Sequence, residues 1–258
     1  MQLIRELYMY RTMTASLVKK DLKGRYKGSV LGFLWTFINP LLQLGVYTLV
    51  FQVILRNPMP NYYMHLFVAL VPWIFFSSAL TTGSKAVLGQ ANMVKKIYFP
   101  REVLPLSYTL SSFVNMILSF IVIFAVYIIS PLKIKLIPLL MLPIVMIIQL
   151  FLVAGVTMIT SSLTVYLRDL EHIMSVLNMA LMYLSPVVYP VSYIPEKYMA
   201  LYLINPMSPV IIAYRDILYY GNFPEFKIII LAFAESMIIF FAGLMIFGKL
   251  KKHFAEEL

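Results

Sequence analysis

The chain has no cysteine and little charge. Over 258 residues Cys is absent, and Asp, Glu, Lys and Arg together make up 12%. The first absence excludes disulfides and thiolate metal sites. The second excludes an ordinary soluble domain, which carries about 25% charged residues. With 61% hydrophobic residues, this chain cannot cover itself for water. Catalytic apparatus is missing as well. No G-x-x-x-x-G-K-[ST] phosphate loop occurs, nor H-E-x-x-H, nor G-x-S-x-G, so the chain is not expected to hydrolyse ATP by itself. His65, His172 and His253 lie far apart and read as interfacial residues, not metal ligands. An integral membrane glycosyl or acyl transferase would need His, Asp or Glu clustered near one membrane face, and none cluster. A secondary carrier would bury ionisable groups near mid-membrane. Glu235 alone falls inside an apolar stretch, where helix packing or a water-facing position competes with a transport role.

What is present is apolar length. Several windows exceed the roughly 18 uncharged apolar residues that mark a spanning helix. Six spans are expected, at 31–54, 64–83, 105–129, 138–164, 173–189 and 228–248, the fifth being the shortest. The fold class is therefore an all-α polytopic membrane protein with six transmembrane helices. Residues 31–258 form one transmembrane domain behind an N-terminal segment, residues 1–30. Fifteen of the 21 Lys and Arg fall on the side of the N-terminus, and six (Arg56, Lys133, Lys135, Lys197, Arg215 and Lys227) on the other. Cytoplasmic loops gather Lys and Arg, which puts both termini in the cytoplasm. The net charge of +10 then reports topology, not nucleic-acid binding.

The first thirty residues carry charge throughout and lack the apolar core of a cleavable signal. At 100° per residue Leu3, Leu7, Tyr10 and Leu17 fall on one side and Arg5, Lys19, Lys20 and Lys23 on the other, the pattern of an interfacial amphipathic helix. Asp21 interrupts the stripe and predicts fraying or a bend there. Gly24, Gly28 and Gly32 fit either a small-xxx-small contact or a hinge before the first span. Residues 190–222 are too apolar for a wet loop, yet Pro190, Pro195, Pro206 and Pro209 forbid a continuous span. The expectation is a pair of short helices dipping back into the outer leaflet, which is tolerated where protein or a cavity covers them. The competing reading is an amphipathic outer cap.

In the first span Asn39, Gln43, Tyr47 and Phe51 recur every four residues. In the fifth, Met179 and Tyr183 share a face, with Asn178 adjacent and Tyr189 at the outer end. A neutral wall of amides and rings suits a passenger with hydroxyls and apolar C–H faces. For Phe51, Tyr62 and Tyr63 the interfacial aromatic belt explains the rings equally well. Residues 84–104 are the longest connection on the inner side. Their second half opens the stretch "MVKKIYFPREVLPLSY" at 93–108, where Met93, Lys95, Lys96, Tyr98, Arg101 and Glu102 mix charge with apolar and ring side chains, and Pro100 and Pro105 fix the exit into the third span. Such a mix suits docking on a protein partner, or a basic tether to headgroups.

Five blocks, "RYKGSVLGFLWTFINPLL" at 25–42, "KKIYFPREVLPLS" at 95–107, "VYLRDLEHI" at 165–173, "SPVVYP" at 185–190 and "NPMSPVIIAYRDILYYG" at 205–221, run the length of the chain. On these blocks the chain resembles the membrane subunit of ABC-2-type exporters, most closely those that export polysaccharides such as O-antigens and teichoic acids. The resemblance implies a homodimer in the bacterial cytoplasmic (inner) membrane, with a path for lipid-linked polysaccharide between the two copies, lined by the first and fifth spans. It implies two copies of a separate cytoplasmic ABC ATPase, which binds ATP and Mg, so that this chain holds no cofactor and is not itself an enzyme. It makes the loop at Lys95–Glu102 the coupling element, Arg168 and Asp169 a second cytoplasmic contact, and 190–222 the outer gate helices. The rival passenger, a small lipophilic molecule, calls for a closed apolar pocket.

Overall fold

The computed structural model describes residues 2–25, 27–56, 58–132 and 135–258. Tyr26 of the first block, Lys133 among the outer cations and the side chain of Leu3 lie outside the described residues. The described residues contain helices and no strand. In chain order the helices are α1 (Gln2–Met9), α2 (Arg11–Gly24), α3 (Trp35–Thr48), α4 (Tyr62–Leu80), α5 (Ala91–Lys96), α6 (Val103–Ile129), α7 (Leu136–Leu139), α8 (Leu142–Tyr166), α9 (Leu170–Tyr183), α10 (Glu196–Tyr202), α11 (Met207–Arg215), α12 (Phe226–Leu250) and α13 (Phe254–Glu257).

Among these residues five helical segments are long and apolar enough to cross a bilayer: Gly32–Ile54, Tyr62–Lys85, Val103–Ile129, Leu136–Tyr166 and Phe226–Glu257. They match five of the six expected spans, as a lipid-soluble chain requires, because a helix satisfies its own backbone where no water can. The expected fifth span differs. α9 has 14 residues, or about 21 Å at 1.5 Å per residue, and the chain then runs in turns through residue 189. The helix stops because Pro186 lacks an N–H and disfavours helical geometry at Ser185 before it.

Helix α4 is the centre of the bundle. Met64, Leu66, Phe67, Val68, Ala69 and Leu70 are wholly buried on consecutive positions, so it is covered all round, by α3, α6, α8 and α11. Gln149 of α8, also wholly buried, donates to the Pro72 carbonyl of α4 at 2.7 Å and accepts from the Tyr214 hydroxyl of α11 at 2.8 Å. This triangle answers each polar atom that the apolar interior would otherwise penalise. A second cluster at the opposite end joins Val87, Val94, Phe99, Val103, Phe247 and Phe254, with Leu7, Tyr10, Met13 and Leu17 packed on it. Leu7, Tyr10 and Leu17 belong to the apolar stripe read from the N-terminal segment, and Met13 joins them.

That segment bends at Tyr10, between α1 and α2, and not at Asp21 as the sequence suggested. The Asp21 carboxylate bonds the Ser111 hydroxyl of α6 and pairs with Arg25 at 2.9 Å, so it is answered in place and α2 continues through it. Gly28 and Gly32 have φ of +83° and +47°, with open space where a Cβ would stand. They serve as a hinge, and no helix approaches them. The close crossing that small residues permit lies elsewhere, between α8 and α12. A Cβ on Gly155 would come within 2.6 Å of the Ile239 carbonyl and Phe240 Cα, and one on Gly243 within 2.6 Å of the Gly155 carbonyl.

Gly155→Leu is expected to destabilise the detergent-solubilised chain by about 3 kcal/mol or more, since backbone cannot yield to the added side chain. Gly45→Ala on α3, with open space at its Cβ, is expected to be neutral or stabilising by up to about 1 kcal/mol. Thermal unfolding followed by circular dichroism compares the two.

Candidate functional site

The residues expected to form the wall lie on α3 and α9. Asn39 and Gln43 are exposed on α3, and Met179 and Tyr183 of α9 are 62% and 56% exposed. The two helices meet where the half-buried Tyr47 donates its hydroxyl to Met182 Sδ at 3.4 Å. Near that contact the amides, the thioether of Met179 and the Tyr183 ring are each open on their own helix, and this exposure is uncommon for amides within an apolar span. Phe51 and Tyr189 do not share it fully. Phe51 sits half-buried in the π-helical turn Leu49–Ile54 that ends α3, its ring 6.1 Å from Tyr62. Tyr189 is half-buried and donates to the Tyr183 carbonyl at 2.7 Å. Tyr62 corrects the belt reading. It is wholly buried and donates to the Val188 carbonyl at 2.7 Å, because the non-helical chain at 184–190 needs donors for its carbonyls. Two amides facing hydrocarbon from one helix would be costly, so protein or water covers this face in the membrane.

The end of the bundle where α4 begins and α11 stops is built around a residue that sequence reading took for an ordinary outer cation. Arg215 is 2% exposed. Its guanidinium donates to the carbonyls of Val187 at 2.8 Å, Tyr189 at 3.0 Å and His65 at 3.3 Å. Five donors in a rigid fork allow one side chain to serve three acceptors. It thereby ties α11 to α4 and to the chain between α9 and α10. Asn205 adds bonds to the Leu184 carbonyl at 3.1 Å and Ser185 Oγ at 2.8 Å. Tyr219 donates to the Pro60 carbonyl at 2.6 Å, and Tyr127 to the Leu218 carbonyl. Burial draws the Arg215 pKa down to about 10, which leaves it a cation at neutral pH. Burial, with Glu225 second, pushes the Asp216 carboxyl up to about 6. The signal in sequence was a lone Arg within "PVIIAYRDILYY", an apolar setting that a solvated cation would avoid. His65 is buried against Tyr62 and Tyr219 and is not interfacial.

At the opposite end the coupling residues divide. Tyr98 and Ile97 are 94% and 59% exposed, and Lys95, Lys96, Arg168 and Asp169 are exposed with them. Lys85 and Glu171 form an ion pair that sets the 84–104 loop against the turn at 168–169. The rest turn inward. Met93 packs on the Val94–Phe254 cluster. Glu102, 3% exposed, pairs with Lys251 at 2.5 Å, and Arg101 donates to the Lys251 carbonyl. Tyr166 donates to the Leu250 carbonyl at 2.8 Å, and Phe254 is wholly buried. The C-terminal tail is thus part of this end, which sequence reading did not foresee. Phe254 near the end of a charged tail was its one trace. Glu235 lies half-buried on α12, its Oε2 without a hydrogen-bond partner among the described residues. Among those residues no three His, Asp or Glu gather to hold a metal.

The ABC-2 type transporter family matches residues 12–219. The chain is 37% identical over 262 residues to the O-antigen export system permease protein RfbA of Myxococcus xanthus, covering 100% of this chain and 99% of that protein. It is 34% identical over 242 residues to each of two O-antigen export system permease proteins RfbA of Klebsiella pneumoniae, covering 94% of this chain and 93% of theirs.

Replacing Arg215 with Met leaves three buried carbonyls unanswered and is expected to cost about 3 kcal/mol or more. Arg215→Lys is expected to recover less than half of that, since an ammonium is a point charge and not a fork. Thermal midpoints of the purified variants, read beside retained helicity, check both.

Proposed function

The chain belongs to the ABC-2 type transporter family, and from that premise we propose that it is the membrane subunit of an ATP-driven exporter of lipid-linked polysaccharide of the O-antigen kind. The substrate class follows from relatives named as O-antigen export permeases that align over nearly their whole length. The finer reading rests on one observation, the uncovered face of Asn39, Gln43, Met179 and Tyr183. A twin copy meeting across this face encloses a neutral corridor of amides and rings. Rings give a glycan flat apolar area, and amides answer its hydroxyls without holding any one sugar tightly. A small lipophilic passenger would gain nothing from such a wall.

In this reading α9 and the turns after it make the fifth of six crossings, and both termini lie in the cytoplasm of a bacterial inner membrane. Helices α10 and α11 form the outer gate, clasped by Arg215. Two copies of an ABC ATPase, carrying the ATP and Mg, dock on Lys95, Lys96, Tyr98, Arg168 and Asp169. Force applied there passes through Arg101, Glu102 and Lys251 into α12, and through Lys85 and Glu171 into α9. Reconstitution with the cognate ATPase tests the whole. ATP-dependent movement of lipid-linked glycan is expected, and hydrolysis without glycan movement overturns the substrate.

Because the chain has no cysteine, single thiols test the twin interface cleanly. Gln43→Cys is expected to yield a cross-linked dimer in membranes with a short bifunctional thiol reagent, whereas Ile144→Cys, 46% exposed on α8, stays monomeric. The reverse result moves the interface to another face. Tyr98→Ala is expected to change folding stability by no more than about 0.5 kcal/mol while weakening ATPase binding by about 2 kcal/mol, read by co-purification and by ATP hydrolysis of the pair.

A further inference from the structure

Beneath α2 lies a cavity of about 940 Å³, near the upper end of the roughly 300–1,000 Å³ typical of ligand pockets. It stands apart from the α3–α9 face and from the cytoplasmic contacts. Its roof is the side of α2 carrying Thr14, Ala15, Val18 and Leu22. Its wall is Leu106 and Leu110 of α6 with Leu150 of α8, and its floor is Phe151 of α8 against Phe240 of α12, two rings 5.1 Å apart edge to face. The roof is pinned, not draped. Asp21 bonds Ser111, and Arg25 donates to Ser112 at 2.8 Å, both on α6. The cavity is therefore held open by the fold.

Its depth and its charge point to one occupant. Phe240 stands ten residues before the end of α12 at Leu250, about 15 Å along the axis at 1.5 Å per residue. That is half of the roughly 30 Å hydrocarbon core, so the groove runs from the interface to mid-bilayer, the reach of one leaflet. At its mouth stand Arg11, Lys19 and Lys23, and no carboxylate lines it. Arg11 is engaged locally, 3.1 Å from the Tyr8 carbonyl and 4.4 Å over its ring, while Lys19 and Lys23 are exposed. Water is a poor tenant for a space so apolar.

We propose that this groove is a binding site for an anionic glycerophospholipid of the leaflet beside α2, its phosphate held by Lys19 and Lys23 and an acyl chain laid along α6 and α8 to Phe240. The lipid is a fixed part of the subunit and not its cargo. It fills the space under the roof and seats α2 at the membrane surface. A lysine beside an anionic headgroup is attracted to it, which decides for an anionic over a zwitterionic lipid. The inference stands independently of what the protein exports.

The test uses the full chain in nanodiscs of phosphatidylcholine containing a minor share of phosphatidylglycerol, followed by detergent extraction and native mass spectrometry. Retention of one phosphatidylglycerol per chain, in preference to phosphatidylcholine, is expected. Lys19→Gln with Lys23→Gln is expected to lower that retention about tenfold or more. Ala15→Phe, which plugs the groove without altering charge, is expected to abolish it. Should the double variant fail to fold by circular dichroism, Ala15→Phe decides alone. Equal retention by folded Ala15→Phe and the parent chain overturns the proposal. So does equal retention of the two lipids, and so does a polyprenyl phosphate that displaces phosphatidylglycerol mole for mole, since the groove would then belong to a carrier lipid.

Discussion

Buried backbone groups have no water to fall back on, and the end of this molecule around Arg215 is organised by that constraint. Long helices α6, α8 and α12 meet it internally. The chain from 184 to 222 cannot, because prolines interrupt it. Its carbonyls are met instead by side chains from within the segment and from other helices. Arg215 serves two, at Val187 and Tyr189, and a third on α4 at His65; Tyr62 and Tyr127 serve one each, and Asn205 another. The bonds tie α4 and α6 to one irregular segment. Irregular buried backbone is thus possible here because neighbouring side chains answer it, and the buried charge of Arg215 is tolerated because its donors are engaged.

The opposite end follows another logic. Water is available there, so the connections between helices are free to be polar, and their organisation comes from a small apolar cluster and a few ion pairs. Phe254 plugs the space between α5 and α12. Lys251 meets Glu102, and Lys85 meets Glu171. The exposed ring of Tyr98 and the lysines beside it are left over after these contacts are made. Side chains that complete the internal packing and side chains left exposed alternate along the same loop, so the exposed ones are tied through their neighbours to α12 and α13.

Much of this was legible from sequence. Five helices match expected spans because apolar length admits one solution in lipid. The faces of α3 and α9 were legible because a four-residue spacing fixes a face whatever the packing. The break after Tyr183 was less so. Pro186 was visible, but hydropathy counts the turn residues Val187 and Val188 as readily as helical ones. The internal partners of Arg215, Asp21 and Glu102 were not legible, for a common reason. Each carries charge, and sequence alone assigns charge to solvent; only tertiary neighbours from distant helices reveal three carbonyls, a serine pair or a lysine waiting for them. Glycine was misplaced likewise. The spaced set at Gly24, Gly28 and Gly32 has the pattern of a contact and none of the neighbours, while Gly155 and Gly243, far apart in the chain, make the contact without a local pattern.

The near-touching backbones of α8 and α12 set a hierarchy of stiffness. Those two helices leave no slack between them, and α4 buries fifteen of its residues; none of the three can shift without repacking much of the interior. α3 buries only Thr36, Pro40 and Leu44. It is weakened by an internal proline, ends in a π-helical turn and begins beside two glycines in open space. The energetic toll of displacing a helix grows with the area it must re-expose, so the molecule keeps its compliance in α3 and in α9, which buries no residue fully, and its rigidity in α4 and the α8–α12 pair.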